Sequence, residues 1–161
     1  MAPDALADLE LAALTGEPRT VAALVTTFQL GLVVLDPYTY ESAWLIDEAG
    51  RILDGFTPAD VRVGWLVTGT ADEARQFLGP WADKLLTFTD PDRAAVAAMG
   101  LESLPAFVHI DAASNVAGKA EGWDPPAWKV AVDGLAKALS WSAPSIPGPN
   151  APGPYAGAPA R

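Results

Sequence analysis

Apolar residues follow two spacings along the chain, and the order of these patterns predicts strands alternating with helices. A continuous apolar run at residues 30–35 is typical of a strand buried on both faces, and residues 61–68 and 85–89 are predicted to form two further strands. Between them, residues 39–54 and 70–81 carry apolar residues at helical spacing. The alternation predicts an α/β sandwich with a partly parallel sheet.

Three predicted helices begin with residues that suit the first turn of a helix. These are the capping box of Thr70 with Glu73, the pair Asp90–Pro91 and the pair Asp124–Pro125. The second of these helices is predicted to end at Gly100 and the third near Leu139. Between them, residues 107–111 and 116–122 predict a hairpin that adds an antiparallel edge to the sheet.

The first 29 residues predict a helical extension before the main domain. Leu6, Leu9 and Ala13 have helical spacing within residues 4–14, and Thr15–Gly16 supplies a stop. Residues 18–29 fit either a helix or a strand, and we favour a helix.

The composition changes after Ser140. Residues 141–161, called the tail below, contain six prolines, three glycines and one charged residue. Such a segment is predicted to be extended, polyproline-II-like or disordered, without contributing to a core. A Pro-x-x-Pro pattern at residues 144–147 leaves two interpretations, a recognition segment or a solubilising linker.

Two stretches of the sequence carry a resemblance to the thioredoxin fold. The first is LDPYTYESAW at residues 35–44, a turn from a strand to a helix, and the second is MGLESLPAFVHID at residues 99–111. The resemblance implies a mixed four- to five-stranded sheet flanked by helices over residues 30–140, with Pro105 as the cis-proline. In the DsbA-like branch the turn reads Asp-Pro-x-Cys-Pro-x-Cys, which places Thr39 and Ser42 where the two cysteines stand.

The chain contains no cysteine, and this excludes the chemistry for which the thioredoxin fold is best known. Thiol–disulfide exchange needs a thiolate, and a Thr or Ser hydroxyl cannot carry the two electrons. We therefore expect a redox-inactive protein without catalytic residues of that kind. With one histidine, His109, and no cysteine, we expect neither a metal site nor a cofactor.

The resemblance implies a groove for an extended peptide beside the cis-proline. Its residues are Asp36, Tyr38, Tyr40, Leu104 and Pro105. Aromatic side chains are favoured anchors at protein interfaces, which supports a binding role for the two tyrosines. Trp44 is a further member of this aromatic group, or alternatively packs into the core.

Other site residues have a structural alternative beside the functional one. Thr39 and Ser42 could bind an anion or supply a nucleophile, or they could be the N-cap and its N3 neighbour. Asp36 and Glu41 could act as an acid–base pair, or Glu41 could simply complement the helix dipole. For His109 we favour a structural role over catalysis.

The formal net charge of −10 argues against binding to nucleic acid or to anionic lipid. No window approaches the roughly 18 apolar residues of a membrane span, and the acidic start lacks the features of a signal peptide. We expect a cytoplasmic protein.

We expect a protein-binding adaptor, assembly factor or chaperone that contacts its partner through the groove, the tail or both. One alternative is a structural subunit docked through the tail. The other is a transferase-like enzyme that uses Thr39 or Ser42.

Overall fold

The protein is described by a computed structural model, which covers residues 4–160. The strands are β1 (Glu10–Ala13), β2 (Arg19–Thr20), β3 (Gln29–Leu35), β4 (Val61–Val67), β5 (Leu86–Thr89), β6 (Ser103–Leu104), β7 (Ala106–Ile110), β8 (Val116–Glu121) and β9 (Ala158–Pro159). The helices are α1 (Asp4–Ala7), α2 (Val21–Leu24), α3 (Tyr40–Ala43), α4 (Ile46–Asp54), α5 (Ala71–Leu78), α6 (Trp81–Lys84), α7 (Ala94–Ala98) and α8 (Pro125–Ala138).

One mixed sheet organises the protein, with strands in the order β2-β1-β5-β4-β3-β7-β8. β3, β4 and β5 are parallel, whereas β7 and β8 form the predicted antiparallel hairpin beside β3. The predicted α/β sandwich is therefore confirmed. The predicted count of four to five strands is too low, because β1 and β2 extend the sheet beyond β5.

β3 is an interior strand of the sheet, between β4 and β7, and its residues from Leu30 to Leu35 are buried. Val33 and Leu35 face a core packed by α4 and α8, whereas Leu32 and Val34 face a second core packed by α2 and α7. Successive strand residues point to opposite faces, so a continuous apolar run needs cover on both sides. The prediction of a strand buried on both faces at residues 30–35 is therefore confirmed.

The predicted N-terminal helix is right for Asp4–Ala7 and wrong for Glu10–Ala13, which form strand β1. Leu9, Leu11 and Ala13 also alternate as strand residues do, and Leu11 is buried. β1 hydrogen-bonds to the otherwise open edge of β5, and that pairing decides between the two patterns. In the ambiguous segment that follows, a two-residue strand comes before the short helix α2.

The helix predicted over residues 39–54 is divided into α3 and α4. The break lies at Trp44 and Leu45, where the Leu45 N–H donates to the Ser42 carbonyl at 3.2 Å in a tighter turn. Leu45 is fully buried at this break, whereas Trp44 turns outward.

Helix α7 begins at Ala94, later than the predicted start at Pro91. Arg93 takes a left-handed backbone conformation with φ of 63°, which delays the helix. The Asp90 carboxylate still serves the helix, because it accepts hydrogen bonds at 3.0 Å from the N–H groups of Ala95 and Val96. The capping box of Thr70 and Glu73 on α5 forms as predicted.

The tail packs against the rest of the protein, so the expectation that it adds nothing to the core is wrong. Ile146 is buried in the core under α4 and α8. The Arg51 guanidinium donates to the Ser145 carbonyl at 2.5 Å, and the Gly148 N–H donates to a Glu48 carboxylate oxygen at 2.7 Å. Glu48 and Arg51 also form an ion pair of 2.9 Å on α4. Polar contacts to the backbone thus order a segment that is poor in apolar residues.

Within residues 4–160, no helix combines the length and the apolar character needed to cross a membrane.

A substitution at Gly64 tests the close contact between β4 and β5. A Cβ atom at Gly64 would lie 2.1 Å from the Leu86 carbonyl oxygen. We expect Gly64→Ala to lower the free energy of unfolding by about 1–3 kcal/mol, because the two strands must separate to admit the methyl group. Urea unfolding measures the change.

The matched control is Gly134→Ala on the exposed side of α8, where a Cβ would meet nothing within 4 Å. It should stabilise the protein by about 0.5–1 kcal/mol through helix propensity. Equal unfolding midpoints for the two variants would contradict the packing described for Gly64.

The Glu48 contact predicts that acid weakens the attachment of the tail. Burial raises the pKa of Glu48, but hydrogen bonds from Arg51 and from the Gly148 N–H bring it below the usual value of 4.5. A lowered folded-state pKa gives stability that is present above the unfolded-state pKa and lost as the pH falls through the folded value. The stability difference between wild type and Glu48→Gln should therefore shrink below about pH 4.5. Thermal unfolding across pH measures this, and a constant difference would exclude the effect.

Candidate functional site

The turn between β3 and α3 is built around the buried carboxylate of Asp36. This side chain is 3% exposed, accepts a hydrogen bond from the Tyr38 N–H at 3.0 Å, and pairs with Arg93 at 3.2 Å. An aspartate that bonds the backbone two residues later makes an Asx turn, which suits the position after a strand. Asp36 is thus held in place by its neighbours rather than facing solvent as an acid or base.

The two residues at the expected cysteine positions both bond to the backbone of Asp36. Ser42 is fully buried, and its Oγ accepts a hydrogen bond of 2.9 Å from the Asp36 N–H. Thr39 occupies the N-cap position of α3, but its side chain makes no capping bond and instead donates to the Asp36 carbonyl at 3.4 Å. This arrangement gives Ser42 a structural role in closing the turn.

Leu104 and Pro105 are joined by a cis peptide bond, and the next residue, Ala106, pairs with Val34 near the end of β3. Leu104 and Pro105 are both buried, and so is Asp36. Tyr38 and Tyr40, the remaining two residues of the predicted groove, are exposed. The five predicted groove residues therefore divide into a buried set and an exposed set, and peptide binding by them stays a prediction.

The second half of the tail lies between these two segments. Ala158 in β9 pairs with Leu104 in β6. Tyr155 donates its hydroxyl hydrogen to the Glu41 carbonyl at 2.5 Å, and its ring meets the Trp44 ring edge-to-face at 5.4 Å between centroids. Burial and the nearby Glu41 charge raise the pKa of Tyr155, so it stays a neutral donor. The edge of β6 is thus already covered by part of the same chain.

Arg93 connects the turn to the tail. Its guanidinium donates to the Asp36 carboxylate at 3.2 Å and to the Ala160 carbonyl oxygen. The Arg93 side chain therefore connects Asp36 in the turn to Ala160, the last described residue of the tail.

An aromatic surface, defined here as Tyr38, Tyr40 and Trp44, remains open on the turn. Their exposed fractions are 63%, 77% and 58%, which makes them half of the six exposed large hydrophobic residues within the described part of the chain. The rings of Tyr40 and Trp44 stack at 6.5 Å between centroids. Trp44 thus belongs to the exposed group and not to the core.

Tyr38 is fixed by the capping residue of a neighbouring helix. Its hydroxyl donates to the Glu73 carboxylate at 2.5 Å, and Glu73 also accepts from the Thr70 N–H. The bond to Glu73 raises the pKa of Tyr38, whereas the bonds from Thr70 and Tyr38 lower the pKa of Glu73. The aromatic surface therefore includes an ordered ring beside a carboxylate.

His109 lies on β7, where it pairs with Gly31 and Gly118, and is buried. Its Nε2 atom lies 2.6 Å from Oε1 of Gln29, and burial lowers the pKa of the imidazole. The histidine is neutral and satisfied by Gln29, in agreement with the structural interpretation. Within residues 4–160, no three acidic or histidine side chains cluster as a metal site would require.

No family model and no curated protein sequence matches the chain, but solved structures share its fold. A putative thiol:disulfide interchange protein DsbE from Chlorobium tepidum superposes with a TM-score of 0.66 at 16% identity, over 83% of this chain and 94% of that one. A secreted disulfide oxidoreductase from Mycobacterium tuberculosis gives 0.61 at 19% identity, over 84% and 99%. Peroxiredoxin Q from Xanthomonas campestris gives 0.65 at 16% identity, over 86% and 94%.

The chain has the thioredoxin fold. Identities this low establish the fold alone. The named neighbours are thiol enzymes, whereas this thioredoxin-fold chain contains no cysteine and has no thiolate of its own. At the two positions where the resemblance places cysteines, it has hydroxyl side chains bonded to Asp36.

Sequence reasoning missed three residues that shape the site of this thioredoxin-fold protein. They are Arg93, Tyr155 and Gly157, which connect the tail to the turn and to β6. No local pattern marks Arg93, because its partners lie 57 and 67 residues away. Tyr155 is the one aromatic residue after Trp141 in a tail rich in proline, glycine and alanine, and this contrast could have marked it.

Replacing Ser42 tests its structural role in the turn. Ser42→Ala removes the acceptor for the buried Asp36 N–H, so we expect a loss of about 1–3 kcal/mol in the free energy of unfolding. Thr39→Ala is the matched control, since its 3.4 Å bond is long and its side chain is partly exposed. Its effect should stay within about 0.5 kcal/mol. Urea unfolding of both variants measures the difference. Equal losses of unfolding free energy in the two variants would contradict a structural role specific to Ser42.

Proposed function

We infer that this thioredoxin-fold protein is a redox-inactive binding protein that docks another protein on its aromatic surface. The observation that carries the proposal is the exposure of Tyr38, Tyr40 and Trp44 together on one turn. Leaving three large rings in water is unfavourable unless they serve an interface, and Tyr and Trp are the residues most enriched at interface anchors. An adaptor, assembly factor or chaperone would use such a surface.

The chemistry of the turn supports binding rather than turnover. The Ser42 hydroxyl is buried and accepts the Asp36 N–H, and the Asp36 carboxylate is engaged by Arg93. A nucleophile needs an adjacent base and an open approach. The buried histidine is bonded to Gln29 instead. We therefore do not propose the transferase-like alternative.

The tail does not support the alternative of a subunit docked through it. Its carbonyl and N–H groups bond to Arg51, Glu48 and Arg93 of the same chain, and Ile146 and Ala160 are buried. Because the tail is bound to its own chain, it is not available as an extended segment for docking to another subunit.

The acidic residues around the aromatic surface favour a partner with basic residues at its contact. Glu41 follows Tyr40 in the chain, and Glu73 bonds to Tyr38, while Arg93 is already paired with Asp36. The whole chain has a formal net charge of −10. A partner with a basic rim around an apolar contact would gain from complementary potentials. Its association should weaken as salt screens these charges.

The double variant Tyr38→Ala/Tyr40→Ala tests the aromatic surface. We expect it to reduce recovery of the bound partner from cells of the source organism by about tenfold or more, since truncating interface aromatics commonly has this effect. Quantitative affinity purification with the full chain measures the recovery. Val130→Ala is the control, because Val130 is 74% exposed on α8 and lies outside this surface.

If the double variant recovers the same partners in the same amounts as wild type, the aromatic surface is not the binding site. A partner whose recovery is insensitive to salt would contradict the proposed basic rim while leaving the surface itself supported.

A further inference from the structure

An apolar cavity of about 190 Å³ lies between the β1–β2 hairpin, helix α2 and strands β4 and β5. Its apolar lining includes Leu11, Leu24, Phe88 and Leu86. Leu86 is 37% exposed and the other three only 2%, so the cavity opens to the protein surface beside Leu86. A dry cavity of about 150 Å³ with leucine and phenylalanine walls accepts benzene, so a cavity of this size holds an apolar group of about one aromatic ring.

Arg62 on β4 presents a cation to this cavity. Its Nε atom donates to the Leu24 carbonyl oxygen at 3.1 Å, and its guanidinium carbon lies 5.8 Å from the centre of the Phe28 ring. These two contacts fix the direction of the side chain. A guanidinium has five N–H donors, and within residues 4–160 the terminal nitrogens of Arg62 have no hydrogen-bond acceptor. The side chain is therefore held in place with donors left for a ligand.

A second arginine, Arg19 on β2, lines the same cavity. One of its terminal nitrogens donates to the Ala23 carbonyl at 3.3 Å, and the residue is exposed. Among the residues from 4 to 160, neither Arg19 nor Arg62 has an acidic partner in an ion pair, although the whole sequence has 20 acidic residues and 10 basic ones. Glu17 on the hairpin turn also lines the cavity. The lining therefore has a net charge of +1, which suits a ligand with a single negative charge.

The cavity lies away from the aromatic surface. β3 and β4 are parallel, and Arg62 pairs with Leu30 at one end of the two strands. At the other end, Val67 pairs with Leu35, next to the turn that carries the aromatic surface. The two pairs are five residues apart along the strands, which corresponds to about 16 Å. The cavity and the aromatic surface are therefore separate places on the protein.

We propose that this cavity binds a small monocarboxylic acid whose apolar part is about the size of one aromatic ring. The apolar part packs against Leu24 and Phe88, where its surface is removed from water. The carboxylate accepts hydrogen bonds from Arg62 and Arg19, since a guanidinium matches the two oxygens of a carboxylate. Glu17 repels a second negative charge, so a dianion is a poorer ligand than a monoanion. The site does not depend on the aromatic surface, and either proposal can fail alone.

Sodium benzoate is the probe that tests the proposal, because it combines one aromatic ring with one carboxylate. Titrated into the full chain, it should shift the backbone amide signals of Leu24, Leu86 and Phe88 in heteronuclear NMR spectra. The shifts should saturate with a dissociation constant of about 1 mM or lower. Benzyl alcohol has the same ring without the charge and should bind about tenfold more weakly. Inorganic phosphate lacks the ring and should not displace benzoate at equal concentration.

Two substitutions with opposite expected effects separate a ligand contact from a structural role. Arg62→Met keeps an unbranched apolar side chain and removes the cation, so benzoate should bind about tenfold more weakly while the affinity for benzyl alcohol changes by less than about twofold. Glu17→Gln removes the opposing charge and should tighten benzoate binding by about twofold to fivefold. Lys137→Met on α8 is the matched control, because it removes an exposed cation outside the cavity and should leave benzoate binding unchanged. If Arg62→Met does not fold, Arg19→Met takes its place and should weaken benzoate binding by about threefold or more.

The proposal is overturned if benzoate shows no saturable binding to the folded wild-type protein. Equal binding of benzoate and benzyl alcohol would also overturn it, because the arginines would then play no part in recognition. Shifted amide signals confined to residues outside the cavity would place benzoate elsewhere and contradict the assigned site. Displacement of benzoate by phosphate at equal concentration would show a site that recognises charge alone, which excludes the stated class of ligand.

Discussion

The burial of β3 on both faces is the constraint on which the rest of the structure depends. Its alternate residues belong to two different cores, so helices must cover both sides of the sheet. The strand must then end at Leu35, where Asp36 and Pro37 turn the chain out of the interior. The aromatic surface and the hydrogen bond of Ser42 belong to the turn at which the chain leaves this buried strand and reaches the protein surface.

The turn shows how a site keeps its shape once the chemistry of a thiol is absent. Ser42 accepts the buried Asp36 N–H, and Asp36 pairs with Arg93, which reaches on to the tail. Each group in this series satisfies the next, and among the described residues no buried side-chain nitrogen or oxygen lacks a partner. The polar residues of the turn are therefore part of the structure, whereas the rings of Tyr38, Tyr40 and Trp44 keep most of their surface exposed.

The sequence predicted those elements whose pattern is local. The apolar runs gave β3, β4 and β5, and the capping box of Thr70 and Glu73 correctly began α5. β1 was missed because Leu6, Leu9 and Ala13 fit a helix equally well, and only its pairing with β5 decides. β9 has only two residues and pairs through its backbone. Its side chains therefore form no pattern from which the strand could be predicted.

The contacts of the tail also bear on the order in which parts of the protein fold. Tyr155 bonds to Glu41 across 114 residues, and Arg51 bonds to Ser145 across 94. Contacts between residues so far apart must close long loops, so the tail can dock only after the rest of the fold has brought its partners together. Until the tail docks, the edge of β6 is an unpaired strand edge, which is the kind of surface that invites wrong pairing with another chain.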